Sequence, residues 1–348
     1  MLKLQRMRFI LILLLCGIMT DGFSQYSTRK VLKKKQAYTD SIKQVKYDYH
    51  LPFLGQQVYK AGFDIPYPVG IMANYVWMDQ GLTLTDMQLG LKTDNVDIPL
   101  TKVDEFLTFE DNKSEVRGFN VRPDVWLFPF LNVYGIVGVG QSTTSINLIE
   151  PISLSSAVEQ SVRTAGFGLM GAFGIGPVWM SIDANWTWTK PELLEKAVRA
   201  GVMGIRFGKT FTFNNRPDRN IAVWMGAFRM NLASETSGEI RLIDALSPDV
   251  WDRRDQIVSD YYEWYNGLPP NLQDRIDQTA LPGIIERIES ADGDAVVRYG
   301  MQKQVAEKWN GVIGLQYQMN KRWMLRTEFG VIGDRKSAMG SLNYRFLW

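Results

Sequence analysis

Across 348 residues, 39 Lys and Arg stand against 37 Asp and Glu, a formal charge of +2. That excess is too small to draw nucleic acid as a partner. With one cysteine and one histidine, the chain has no disulfide framework, no thiolate chemistry and no His-rich metal site.

The chain opens with Lys3, Arg6 and Arg8, an apolar run from Phe9 to Met19, and then Thr20, Ser24 and Gln25. This is the grammar of a secretory signal peptide over residues 1–24. The apolar run is about half the ~20 residues a spanning helix needs, so a removable signal is expected rather than an anchor. Cys16 lies inside it behind Leu15, which is not the small residue lipidation requires. No later apolar run reaches helix-spanning length, which excludes a helical inner-membrane protein. Residues 25–68 form a basic lead-in (Arg29, Lys30, Lys33, Lys34, Lys35, Lys43, Lys46) that also holds His50. It is expected to be periplasmic, partly helical or disordered, and solvated.

From Val69 the period changes to two. Ile71, Ala73, Tyr75 and Trp77 alternate with Met72, Asn74, Val76 and Met78, and extended character runs on to Leu91. Asp79-Gln80-Gly81 interrupts this run as a bulge or a hairpin turn. Glu115–Ile149 reads as a hairpin turning at Phe128-Pro129-Phe130, with a bulge or local break expected at Pro123, which donates no hydrogen bond. A second hairpin joins Arg163–Ile175 to Val178–Thr189 through Gly176-Pro177. A third joins Ala197–Phe213 to Ile221–Glu239 through Asn214-Asn215-Arg216-Pro217-Asp218. A fourth joins Val305–Met319 to Trp323–Ile332 through Asn320-Lys321, and one more strand ends the chain. That makes ten strands. A true turn at Gly81 would make twelve, with Val58–Phe63 as the extra strand.

Connections near 129, 176, 216 and 320 are short. Those near 92–114, 150–162, 190–196, 240–304 and 333–337 are mostly longer. Within 240–304, Ser247-Pro248-Asp249 supplies a helix start. Val250, Ile257, Tyr261, Trp264 and Leu268 follow at helical spacing, and a second helix is expected over Leu272–Ser290, broken at Pro282. Asp292-Gly293-Asp294 lacks the ligand pattern of a calcium loop. Gly138-x-Gly140 and Gly166-x-Gly168 lie inside strands, as packing glycines rather than a nucleotide loop.

In the final run Gly340–Trp348, Leu342, Tyr344, Phe346 and Trp348 share one side, with Ser341, Asn343 and Arg345 on the other. With Phe130-Leu131-Asn132-Val133-Tyr134-Gly135 and the signal peptide, this resembles the Gram-negative outer-membrane β-barrel proteins. The resemblance implies an all-β transmembrane antiparallel up-and-down barrel over 69–348, with the helical loop 240–304 outside the cell. The short turns then lie in the periplasm, and Trp77, Trp186, Trp188, Trp323, Tyr344 and Trp348 form interfacial girdles. It also implies outer-membrane lipid as surroundings and engagement of the barrel-assembly machinery through Leu342, Tyr344, Phe346 and Trp348. The alternative architecture is a secreted, soluble β-sandwich or barrel.

With the apolar face toward lipid, Arg122, Asp124, Asp183, Asn185, Arg206, Arg326, Glu328 and Arg345 face the lumen, as a pore lining or a salt-bridged filling. Two functions follow. One is a passive porin-like channel or transporter for a small solute, capped by the outer loop. The other is a non-conducting structural or partner-binding barrel. A lipid-modifying enzyme is disfavoured because no histidine lies on any strand or outer loop. No catalytic residue, metal or cofactor is expected.

Overall fold

A computed structural model describes residues 36–347 apart from 94, 95, 176, 195, 214 and 215. The signal segment with Cys16, the first lead-in lysines, Gly176, Asn214-Asn215 and Trp348 lie outside the described residues.

The strands are β1 (Val69–Lys92), β2 (Asp97–Lys102), β3 (Thr108–Phe109), β4 (Lys113–Phe128), β5 (Leu131–Glu150), β6 (Leu154–Ile175) and β7 (Val178–Pro191). They continue as β8 (Val198–Phe213), β9 (Arg216–Arg241), β10 (Val296–Val305), β11 (Trp309–Gln318), β12 (Trp323–Ile332) and β13 (Lys336–Phe346). All pairings are antiparallel. Ten strands close a barrel in the order β1-β4-β5-β6-β7-β8-β9-β11-β12-β13 and back to β1. The twelve-strand alternative fails because its extra strand is instead part of a helix, Gly55–Lys60.

Pro123 produces a local break in the β4–β5 ladder, which skips residues 122 and 123, and no bulge. Its pairing with Ile71 sits in an unbroken register, and the ladder to β5 resumes at Asp124↔Tyr134 in the register of Val121↔Val137.

Asp79-Gln80-Gly81 is neither bulge nor hairpin. Below it β1 pairs with β13, ending at Asp79↔Lys336; above it β1 pairs with β10, starting at Leu82↔Val305. β10 pairs with β9 on its other side. Three strands (β11, β12, β13) therefore separate β9 from β1 in the lower barrel, and one strand separates them above. The expected strand Val305–Met319 is accordingly β11 with a later start: Val305 is the last residue of β10, and residues 306–308 separate the two strands.

The 333–337 connection, expected as an outer loop, is a tight apex set into this fork. Gly333 takes φ +99°. Asp334 Oδ2 accepts from Gly81 N at 2.6 Å, and Arg335 Nε donates to Gln80 Oε1 at 2.8 Å. Arg335 is only 2 % exposed.

Outward side chains define a band. On β6, Phe173, Leu169, Phe167 and Ala165 are exposed, and then Arg163, Ser161 and Glu159 continue the same face. On β5 the same face changes from Val137 and Val139 to Gln141, and on β9 from Met225 to Arg229. β12 and β13, at 10 and 11 residues, are the length of a bilayer-spanning strand. An apolar outward band of that height, over a polar interior, is what a hydrocarbon surround requires of a closed sheet. Above it the strands stand in water as a neck.

The helices are α1 (residues 36–44), α2 (Gly55–Lys60), α3 (Leu242–Ala245), α4 (Pro248–Asp252), α5 (Arg254–Asn266), α6 (Pro270–Asp277) and α7 (Leu281–Glu289). The first expected cap helix breaks at Arg253. The second is two helices, and Pro282 begins α7 instead of breaking it, its missing N–H being unneeded in a first turn. Residues 296–304, read as loop, are most of β10. The apolar core lies in this cap: Val250, Ile276 and Ile288 are fully buried, and Leu91, Val103, Met301 and Val297 come up from the neck to meet them.

Candidate functional site

Period two turns alternate residues inward, and the barrel interior collects all eight expected lumen residues. They fall into two layers. In the upper one, Arg206 grips Glu328 with two hydrogen bonds (Nε to Oε2 at 2.7 Å, Nη2 to Oε1 at 2.8 Å) and also bonds Asp183. Arg326 Nη2 donates to Glu328 Oε2 at 3.0 Å, and its guanidinium lies 4.7 Å from the centre of the Trp224 ring. Trp224 Nε1 donates to the same carboxylate at 2.9 Å. Side-chain exposures of 11–16 % for Arg206, Asp183, Glu328 and Arg326 mean these charges are worth far more to one another than a surface pair is.

In the lower layer, Arg345 Nη2 donates to Asp124 Oδ1 at 3.1 Å, and Asn132 Nδ2 reaches the same oxygen at 2.7 Å. The Arg122 guanidinium lies 4.0 Å from the Tyr134 ring centre, and Asn185 stands opposite Gly168, where a Cβ would lie 2.4 Å from the Tyr134 ring.

Glycines make this filling possible. A Cβ on Gly314 would lie 2.2 Å from the Trp224 ring, and one on Gly204 would lie 2.8 Å from Asp183 Oδ1. Both positions need the missing side chain for close approach.

Beneath the upper layer, and bordered by the residues of the lower one, lies a cavity of about 140 Å³. Arg122, Arg326, Arg345, Lys321 and Arg322 border it, against the single carboxylate of Asp124. Several of its buried polar atoms have no partner: Arg122 Nε, Arg326 Nε, Asp124 Oδ2 and Asn132 Oδ1. A second cavity of about 190 Å³ lies above the upper layer, lined by Thr144, Thr164, Thr187, Thr236, Gln80 and Lys303 among others.

The lead-in closes the lower mouth and is more ordered than its composition suggested. Arg345 Nε donates to the Tyr67 carbonyl at 2.6 Å, and Phe53 N donates to the Leu127 carbonyl at 2.8 Å. Asp64 accepts from Tyr38 Oη (2.6 Å) and from Lys321 Nζ (2.8 Å). Burial alone would lower the Lys321 ammonium, but the Asp64 carboxylate outweighs it and holds the group above its ordinary value. Tyr47 packs edge-on to Tyr59 at 5.1 Å. His50 is exposed.

The expected lumen set omitted Trp224, Tyr134, Asn132, Arg335 and Lys303. For the first three the signal existed, because each alternates with lipid-facing neighbours. Arg335 had none, since nothing in a short Gly-Asp-Arg connection shows that it folds inward.

No family model matches the chain, and no curated protein is similar to it in sequence. Among solved structures it is similar to the β domain of the Bordetella autotransporter BrkA: 8 % identity, 80 % of this chain, 100 % of that one, TM-score 0.36. The translocator domain of autotransporter NalP from Neisseria meningitidis matches at 8 % identity, over 92 % and 96 % of the two chains, with a TM-score of 0.33. OprG of Pseudomonas aeruginosa matches at 8 %, over 81 % and 98 %, with a TM-score of 0.34. The closed ten-strand barrel, its apolar band and its polar interior identify the chain as an outer-membrane β-barrel protein.

Proposed function

We propose that this barrel passes a small polar solute, with a preference for anions, and that the conformation described is its shut state. The observation that carries this reading is the lower cavity, where five cations face one carboxylate and buried polar atoms stand without partners. Buried polar groups ordinarily have partners, and the two unpartnered donors, Arg122 Nε and Arg326 Nε, beside excess positive charge favour an anion with acceptor atoms for both. The Arg206–Asp183–Glu328–Arg326 layer would be the barrier between the two cavities, and the eight expected lumen residues would line the route. The helical cap would cover the outer end. A cleaved signal and assembly through the terminal strand fit the same outer-membrane setting. This reading gives the chain no catalytic role.

A second reading rests on the lead-in: a segment hydrogen-bonded across the lower mouth suits a filled, non-conducting barrel that binds a partner through its cap. Planar-bilayer recording separates the two. The Arg206→Ala/Glu328→Ala double variant should conduct several-fold more than the parent, with a reversal potential shifted toward chloride, and Arg122→Ala should reduce that shift. Silence from the double variant, and also from a variant lacking residues 36–63, would refute the conduit and favour the filled barrel.

A further inference from the structure

The apolar core of the cap is not one cluster but three. One gathers Val250, Ile257, Tyr261, Ile285 and Ile288 around Ile152; another gathers Met87, Val103, Ile276 and Leu281; the third gathers Leu91, Leu242, Ala280 and Val297. Residues from all three border one cavity of about 180 Å³, together with Leu148 and Ile284. It is a half-open cleft, with the exposed Ser155 at its border. A dry cavity of about 150 Å³ with aliphatic and aromatic walls holds one benzene-sized ring, so this one takes a single ring with a small substituent.

The chemistry of the wall narrows the occupant further. No Asp, Glu, Lys or Arg borders the cavity, and a charged molecule would lose its hydration there without compensation. Tyr261 borders it, is 2 % exposed, and its buried hydroxyl has no hydrogen-bond partner. Among the described residues that line the cavity, it is the one carrying such an orphaned polar atom. Burial first, then neighbouring Tyr265 and Asp277, push its phenol above the ordinary range, so it stays a neutral hydroxyl. Tyr265, by contrast, spends its hydroxyl on Asp277 at 2.9 Å.

We infer that the cap is a binding site for a small uncharged molecule with one compact apolar ring and one polar substituent, which Tyr261 recognises by a single hydrogen bond. The site stands outside the barrel, shares no residue with the lumen layers, and does not depend on whether the barrel conducts.

The test uses the full chain in nanodiscs, with p-cresol and toluene as probes differing by one hydroxyl, measured by ligand-observed NMR and calorimetry. Both should bind saturably, p-cresol about 2- to 10-fold more tightly, the factor one net hydrogen bond supplies. Tyr261→Phe should keep toluene binding and erase the preference. Ile284→Trp should abolish both by filling the space. Leu148→Phe serves as a second filled variant if circular dichroism shows the cap helices of the first are lost. The proposal is overturned by the absence of saturable binding, by a p-cresol preference that survives Tyr261→Phe, or by binding that persists in a filled variant and so reflects lipid partitioning.

Discussion

At the scale of single residues, the interior runs on pairing. Arg206 serves two carboxylates at once, so Arg206→Ala leaves Asp183 and Glu328 buried without their counter-charge. The expected loss is about 3–5 kcal/mol, read as a lower melting temperature in detergent micelles. Replacing Arg206, Asp183, Glu328 and Arg326 together with apolar or amide side chains should cost much less, because no buried charge is then stranded. Lys303 is the opposite case. Its strand, β10, lies in the neck above the apolar band, and burial pulls its ammonium down to about 8. The unfolded chain restores the ordinary value near ~10.4. Between those two pH values the unfolded state holds more protons, so stability rises with pH there, and the penalty is complete below pH 8. Lys303→Met should raise the melting temperature at pH 7 and flatten the climb between pH 8 and 10. An unchanged pH profile would mean that the amine reaches water.

At the scale of elements, the decisive device is the fork at Gly81, where β1 exchanges β13 for β10. A Cβ at Gly81 would lie 2.5 Å from Asp334 Oδ2, so Gly81→Val should unseat the β12–β13 apex while the rest of the sheet stays paired. Hydrogen exchange should quicken at residues 333–336 and leave β5, β6 and β7 protected; general deprotection would argue that the fork holds the whole barrel. This device also marks the limit of what the sequence discloses. Strand existence, facing and the ten-strand count were legible because lipid on one side and charge on the other impose period two on every strand. The inward phase of Arg206, Glu328 and Arg345 followed from that alone. The fork was illegible because changing a neighbour leaves the period at that point untouched: Leu82 and Leu84 alternate no differently beside β10 than they would beside β13. The same blindness turned residues 296–304 into loop. Their pattern is that of a strand, but the helices before them set the expectation for the whole insertion.

At the scale of the molecule, two solvents meet in one chain. The lower barrel is polar inside and apolar outside, whereas the cap is apolar inside and polar outside, so each half buries what its surroundings reject. That inversion is why the exposed phenylalanines cluster on the strands and the fully buried isoleucines lie in α6 and α7. It predicts separable stability. Mild protease treatment of intact cells should cut within residues 242–295 and leave a heat-modifiable barrel fragment, detected by gel shift. Protection of the cap until the barrel itself unfolds would show the halves to be one cooperative unit.

The length of the neck has a consequence for encounter. About eleven residues of β6 continue past the apolar band (154–164), a rise of roughly 25–30 Å for a strand tilted as barrel strands are. The cap is therefore carried clear of the membrane surface. Whatever drifts toward the cell here collides with protein before it meets lipid, and the surface it touches includes the exposed carboxylates of Asp255, Asp260 and Glu263 on α5.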